Sequence, residues 1–557
     1  MTDQNNQIDE ILAEMTLAEK IGQMTQASND AITPEEVTEL GIGSILSGGN
    51  GNPTPNTPEV WVDMVSAFAD AAANTRLGIP LLYGIDAVHG HGNVRGATIF
   101  PHNIGLGAAG DPGLVERIGA ATRTEMLATG IHWAFAPMVA VPHDIRWGRT
   151  YEGFGRDPDL VSALGAGLVR GLQGTDPNRL EVLACAKHFV GDGATTWGTA
   201  PRFDWVDWWD GWGDTWQIDQ GDASISEEEL RSTHLAPYRT AVDAGVATVM
   251  ASYNSWNGER LHGNRYMLTD VLKGELGFDG FVISDWMGVD QLDPSYERSV
   301  VTAINAGIDM VMVPNEFRRF IDAMGNAVSS GAIPIERIDD AVNRILRAKH
   351  AVGLFEQDQE LPPLDVIGCD EHRTIAAEAA RRSAVLLKNT GALPLIASDG
   401  PLLVAGAAAD DIGLQCGGWT VGWQGGIGDT TPGTTLLDGL RSVFGTEVHF
   451  DPAGGFGAES NATIGVICIA EPPYAEGPGD SATVSARDED RAVFDRMRER
   501  CDTLVLVVYS GRPLAIPDLL AEADAVVAAW LPGSEAGALG ALLAGIHDFE
   551  AVTPQPW

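Results

Sequence analysis

Lysine is almost missing from this chain. Five lysines and 30 arginines face 77 aspartates and glutamates in 557 residues, a formal net charge of −42. A surface this acidic repels nucleic acid and anionic membrane, which excludes both as partners. Its self-repulsion costs little only where salt screens it, so the sequence predicts a halophilic protein working in concentrated salt. Long apolar runs are absent as well, none approaching the ~20 residues that cross a bilayer. The opening MTDQNNQIDEILAEM has no basic start leading into an apolar stretch, so a cytoplasmic location is expected. Cysteine is scarce and scattered (Cys185, Cys369, Cys416, Cys468, Cys501), with no CxxC pair. An odd, dispersed set argues against a disulfide framework and a zinc site, and leaves buried thiols.

What is present is recurrence. Short apolar, β-branched runs alternate with helical stretches: GIGSIL from 41, PLLYGIDAVHG from 80, WAFAPMVAV from 133, VLACAKHF from 182, ATVMASYNSW from 247, FVISDW from 281 and IDMVMV from 308. Between them lie capped helical segments, such as the one opened by Ser226 with Glu229 at capping-box spacing. Strand, helix, strand at this interval predicts an α/β fold with a parallel sheet, and seven units suit a TIM-type (β/α)8 barrel one strand short of eight. Residues 1–353 are expected to form that barrel domain and 354–371, with their Pro-Pro, a linker. Residues 372–557 open on a helix, EHRTIAAEAARRSAVLLKN, and continue with the strand runs LLVAGAAAD, ATIGVICIAE, DTLVLVVYSG and ADAVVAAWLPG. They predict an α/β sandwich with a mostly parallel sheet. Because the chain ends on AVTPQPW, that sheet is expected to be incomplete.

The chemically unusual residues follow the strand runs, where a TIM barrel builds its active site: Asp86 and His89, Arg149, Lys187 and His188, Asp285 and Trp286. Lys187 stands out in a chain that has nearly abandoned lysine, although a structural ion pair would also account for it. Asp285 ends an apolar run, where an unpaired carboxylate is costly, so a functional carboxylate is expected. His89 and His91, as HGH, suggest a metal pair. Alternate strand residues face opposite sides and no third ligand lies nearby, so packed histidines and no metal site are expected. Six tryptophans (Trp197, Trp205, Trp208, Trp209, Trp212, Trp216) fill the loop after Lys187. Over the barrel mouth they could stack on sugar faces, or pack together as a lid.

Taken together, GIDAVHGHGNVRGATIFPHNIGLGA, RWGRTYEGFGRDP, KHFVGDG, TVMASYNSWNG and GFVISDWMGVD in the first half, with QCGGWTVGWQGG, EPPYAEGPGD, SGRP and AAWLPGSE in the second, resemble glycoside hydrolase family 3. The resemblance is to the branch of β-D-glucan exohydrolases and β-glucosidases, and it runs almost end to end. It implies that Asp285 is the nucleophile and Glu476 the acid/base, with Glu471 as rival. It implies that Asp86, Arg149, Lys187 and His188 hold the terminal sugar, that Trp286 and Trp423 clamp the next one, and that no cofactor is needed. The function implied is a retaining, exo-acting β-glucosidase or β-D-glucan exohydrolase acting on β-glucosides and gluco-oligosaccharides. Departures accompany it. The loop KHFVGDGATTWG lacks the histidine of the N-acetylglucosaminidase branch, and Gln291 stands where an arginine is expected. Two alternatives remain at this point: a β-xylosidase, or a glucoside-binding protein left inactive by an incomplete second domain that holds Glu476 poorly.

Overall fold

The computed structural model describes residues 2–174, 176, 179–206, 215–356, 360–396, 401–457 and 462–557. The first half holds eight parallel strands: β1 (Thr25–Ser28), β2 (Ser44–Ser47), β3 (Leu82–Ile85), β4 (Trp133–Ala134), β5 (Leu183–Phe189), β6 (Thr248–Ala251), β7 (Phe281–Ile283) and β8 (Val311–Met312). They pair in the order β7-β6-β5-β4-β3-β2-β1-β8, and a parallel bridge between Ile283 and Met310 joins the two edges into a barrel.

The strand missed by sequence is β1. Its Thr-Gln-Ala-Ser carries no apolar run, yet every residue is buried. Several of its polar groups find partners: Thr25 Oγ1 donates to the Ile21 carbonyl at 2.8 Å and Gln26 Nε2 to Ser44 Oγ at 2.8 Å. A buried hydroxyl or amide with such partners avoids the desolvation cost that makes polar strands rare. The interior is otherwise filled by side chains. A Cβ on Gly84 of β3 would lie 2.4 Å from the Phe135 ring, so that glycine leaves the space the ring occupies. The helices outside follow apolar periodicity; in Ile335–Ala351, Ile338, Ala341, Val342, Ile345 and Leu346 are the buried stripe.

The second half is an α/β sandwich on a six-stranded sheet: β9 (Val385–Asn389), β10 (Leu402–Ala405), β11 (Val448–Phe450), β12 (Ala462–Ala470), β13 (Cys501–Tyr509) and β14 (Ala525–Trp530). The order is β9-β14-β13-β12-β10-β11, all parallel except β9, which runs antiparallel to β14. This corrects the sequence reading in two places. The helix ends at Ser383, and the expected helical tail VLLKN is the edge strand β9. Val448–Phe450 adds a further short strand. Helix Asp370–Ser383 lies between the two halves, with Ala376 and Ala379 in the barrel core and Arg382 paired to Asp111 at 2.8 Å. Among the described residues no helix is long and apolar enough to cross a membrane.

Candidate active site

The eight residues that the resemblance places in the site border one cavity of about 300 Å³ at the carboxyl ends of the barrel strands. Asp86 follows β3, Arg149 stands in the loop after β4, Lys187 and His188 lie within β5, and Asp285 and Trp286 follow β7. Trp423 and Glu476 reach it from the second half, Glu476 from the loop after β12.

The charges are interlocked. Lys187 Nζ donates to Asp86 Oδ1 at 3.0 Å and stands 5.6 Å above the Trp419 ring. The ion pair read as the alternative role for Lys187 thus exists, but on the cavity wall. Arg149 grips Glu152 with two bonds, Nε and Nη2 each 2.9 Å from a carboxylate oxygen, and reaches Glu476 Oε1 with Nη1 at 3.3 Å. His188 lies with Nδ1 3.0 Å from Asp192 Oδ2 and Nε2 3.6 Å from Asp285 Oδ2. Burial, then the neighbouring Arg149 and Lys187 charges, hold His188 well below its ordinary pKa, so it is neutral.

The two catalytic candidates sit in unlike surroundings. Asp285 Oδ1 accepts the Trp286 N–H at 2.7 Å, and its own N–H donates to His262 Nε2 at 2.9 Å. Its Oδ2 has no hydrogen-bond donor among the described residues. Burial lifts Asp285 to about 6; Arg149, the Trp286 N–H and Lys187 restrain the rise. Glu476 retains 14% of its side-chain exposure and is raised further. Burial dominates, Arg149 opposes it, and the negative charges of Asp219, Asp285 and Glu152 add to it. Because Arg149 is already committed to Glu152, it does not reverse the rise. Glu476 also holds φ at 58°, a left-handed conformation unusual for glutamate and of the kind kept where surroundings over-determine it.

Those surroundings are visible residue by residue, and they hold the loop at several points. Gln424 pairs with the Ala475 backbone in both directions at 3.0 Å. The Glu476 carbonyl approaches Gly148 so closely that a Cβ there would lie 1.9 Å from it. Gly477 lies against the face of Trp216. Asp480 accepts four backbone N–H groups from the barrel half: Gly148 on Oδ1, and Gln217, Ile218 and Asp219 on Oδ2, at 2.8–2.9 Å. Burial and the Asp219 charge raise Asp480 to about 7, with the N–H donors opposing. Glu471, by contrast, borders a separate cavity and is spent on Arg512 Nε at 3.0 Å, Tyr474 OH at 3.0 Å and the Gly511 N–H at 3.1 Å.

Other expectations resolve differently. His89 is packed, its ring nitrogens at the Phe100 and Trp419 carbonyls (3.0 and 3.2 Å), and His91 Nε2 is 2.9 Å from Thr129 Oγ1. Trp208, Trp209 and Trp212 lie outside the described residues. None of the other three tryptophans of that loop borders the cavity. Trp197 lies under the Arg146 guanidinium, Trp205 donates to the Asp290 carbonyl at 3.1 Å, and Trp216 is buried under the Glu476 loop. Sequence reasoning missed Tyr253, which borders the cavity and donates its hydroxyl to the Trp286 carbonyl, and Trp419 beneath Lys187. Both fall inside stretches that carried the resemblance, but beside residues that drew the attention.

The arrangement of paired carboxylates from two domains around a charged, tryptophan-edged pocket agrees with the sequence comparisons. Residues 16–203 and 210–348 match the glycosyl hydrolase family 3 N-terminal domain, and residues 384–557 match the family's C-terminal domain. The chain belongs to glycosyl hydrolase family 3. Among family 3 relatives, a lysosomal beta glucosidase of Dictyostelium discoideum is 33% identical over 95% of this chain and 69% of its own length. A periplasmic beta-glucosidase of Salmonella typhimurium is 30% identical over 95% and 71%. In three dimensions the chain superposes on an exo-1,3/1,4-beta-glucanase from Pseudoalteromonas sp. with a TM-score of 0.91 at 39% identity, covering 100% of this chain and 71% of that one. It also resembles a beta-glucosidase from Listeria innocua in complex with glucose, at TM-score 0.85 and 27% identity, covering 99% and 76%.

Proposed function

We propose that this chain is a retaining, exo-acting β-glucosidase, releasing terminal β-D-glucose from β-glucosides and gluco-oligosaccharides by double displacement. The observation that carries it is the unlike pair Asp285 and Glu476 on one small cavity, with relatives named as β-glucosidases and an exo-glucanase beside it. A cavity of about 300 Å³ lies at the lower end of the ~300–1,000 Å³ of small-molecule sites, which suits a terminal sugar rather than a long chain. In this reading residues 1–353 bind that sugar and supply the nucleophile, 354–371 connect, and 372–557 supply the acid/base.

Asp285 Oδ2, the oxygen with no protein donor, attacks the anomeric carbon while Glu476 protonates the departing glycosidic oxygen. Asp86, Arg149, Lys187 and His188 take the sugar hydroxyls, and Trp286 and Trp423 face the leaving sugar. Once Asp285 is esterified its charge is gone, and with it one of the charges that raises Glu476. Glu476 then acts as the base that takes a proton from water, whose oxygen displaces Asp285 from the anomeric carbon. The charge of −42 supports a further proposal, that the enzyme works in high salt.

The test is hydrolysis of p-nitrophenyl β-D-glucoside. We expect Asp285→Asn to lose at least about a thousandfold in kcat/KM. Glu476→Gln should fall less on this activated substrate and be rescued by azide, giving β-glucosyl azide. Turnover by neither wild type nor rescued variant, with glucose still raising Tm, would leave a binding protein. Faster cleavage of the corresponding xyloside would favour the β-xylosidase reading, the name carried by a relative from Formosa agariphila at 30% identity.

A further inference from the structure

Asp480 contributes nothing to the wall of that cavity, yet it ties the Glu476 loop to the barrel with four hydrogen bonds. It is four residues after Glu476, at the end of the turn Gly477–Gly479, and its carboxylate receives N–H groups from two separate barrel segments. One is Gly148, neighbour of the Arg149 that touches Glu476. The other is Gln217–Asp219, which follows the Trp216 on whose face Gly477 rests. Trp147 closes the circle, donating Nε1 to Asp219 Oδ1 at 2.8 Å. The loop has other anchors, but they differ in kind. Gln424 belongs to the second half itself, while Arg512 spans both, donating to the Gly479 carbonyl at 2.8 Å and the Arg146 carbonyl at 3.1 Å. Among the described residues, only Asp480 gathers both barrel segments that flank Glu476 onto one group.

We propose that Asp480 is a positioning residue for general acid catalysis: it sets the height of Glu476 over the sugar by docking the acid/base loop onto Gly148 and Gln217–Asp219. This rests on the reading of Glu476 as the acid/base. The chemical consequence is specific. Asp285, Lys187 and His188 are held by partners other than Asp480, and Arg149, although it follows Gly148, stays pinned by its two bonds to Glu152, so loss of Asp480 displaces proton delivery and leaves nucleophilic attack in place. An asparagine keeps the shape but turns an N–H2 toward at least one of the four N–H donors it must face.

The experiment compares kcat/KM, which reports the first displacement, for phenyl β-D-glucoside and 2,4-dinitrophenyl β-D-glucoside. The phenolate leaving group needs a proton; the dinitrophenolate leaves without one. For Asp480→Asn we expect about a 10–100-fold loss on the phenyl substrate, a fraction of the ~10²–10⁴ that general acid catalysis supplies, and less than about threefold on the other. Asp480→Glu, which keeps the charge but shifts it by a methylene, should move the ratio the same way. The ratio is measured within one sample, so a partly unfolded variant does not distort it. Equal losses on both substrates, or no loss on either, would overturn the proposal. Wild type inert on both would instead remove the glucosidase reading on which it stands.

Discussion

At the residue scale, the proposed mechanism depends on two carboxylic acids held in different protonation states. Asp285 must be ionised to attack and Glu476 protonated to assist departure. With Asp285 at about 6 and Glu476 at about 8, kcat/KM is expected to be bell-shaped, falling below about pH 6 as Asp285 takes up its proton and above about pH 8 as Glu476 loses its own. Lys187 offers a check on sign. Its ammonium favours the Asp285 anion, so Lys187→Met should weaken substrate binding and also move the acid limb to higher pH. An acid limb unmoved in that variant would detach Lys187 from the nucleophile. Much of the candidate site was legible in the sequence, because the residues that border the cavity violate local expectation: a lysine in a lysine-poor chain, an aspartate ending an apolar strand. Tyr253 and Trp419 violate nothing. A tyrosine just past a strand or a tryptophan in the loop after helix Ile412–Cys416 is ordinary composition, and only the folded chain brings them to the cavity.

At the scale of elements, the barrel strands were legible where they were apolar. β1 was invisible because its burial is compensated by hydrogen bonds rather than by hydrophobicity, and β9 because VLLKN continues a helical pattern until β14 captures it as an antiparallel edge. The Glu476 loop shows a similar limit. PYAEG reads as an irregular segment, while its rigidity comes from partners more than two hundred residues away in sequence, Trp216 and Gly148 among them. Gly148 is the point where this can be broken without touching a catalytic side chain. A methyl group there meets the Glu476 carbonyl at 1.9 Å, and because that oxygen belongs to the backbone, the loop must move away. Since a displacement on the order of 1 Å can cost about 10²-fold in rate, Gly148→Ala should lower kcat/KM on phenyl β-D-glucoside by that order. Inhibition by glucose, a measure of the sugar pocket, should change far less. An alanine variant with full activity would mean the loop is free to adapt.

At the scale of the molecule, charge and burial act on stability in the same direction with pH. Asp285 near 6, Asp192 and Asp480 near 7 and Glu476 near 8 all have folded pKa values above those of free carboxylic acids. A raised group costs nothing below its unfolded pKa, about 4, and its cost grows as pH climbs through the folded value. The net charge of −42 adds self-repulsion over the same range. Opposing this are carboxylates such as Glu19, held near 2 by Arg76, whose contribution is present above about pH 4.5 and lost only in stronger acid. Tm in dilute buffer should therefore be higher at pH 6 than at pH 8. The two causes separate with salt, because the Debye length shrinks from ~30 Å at 0.01 M to ~3 Å at 1 M while buried groups are screened much less. Adding KCl should raise Tm at both pH values and narrow the gap between them, leaving the part that belongs to the buried acids. Should Tm fall with KCl at pH 8, the surface charge would not be the destabilising term, and the halophilic reading would go with it.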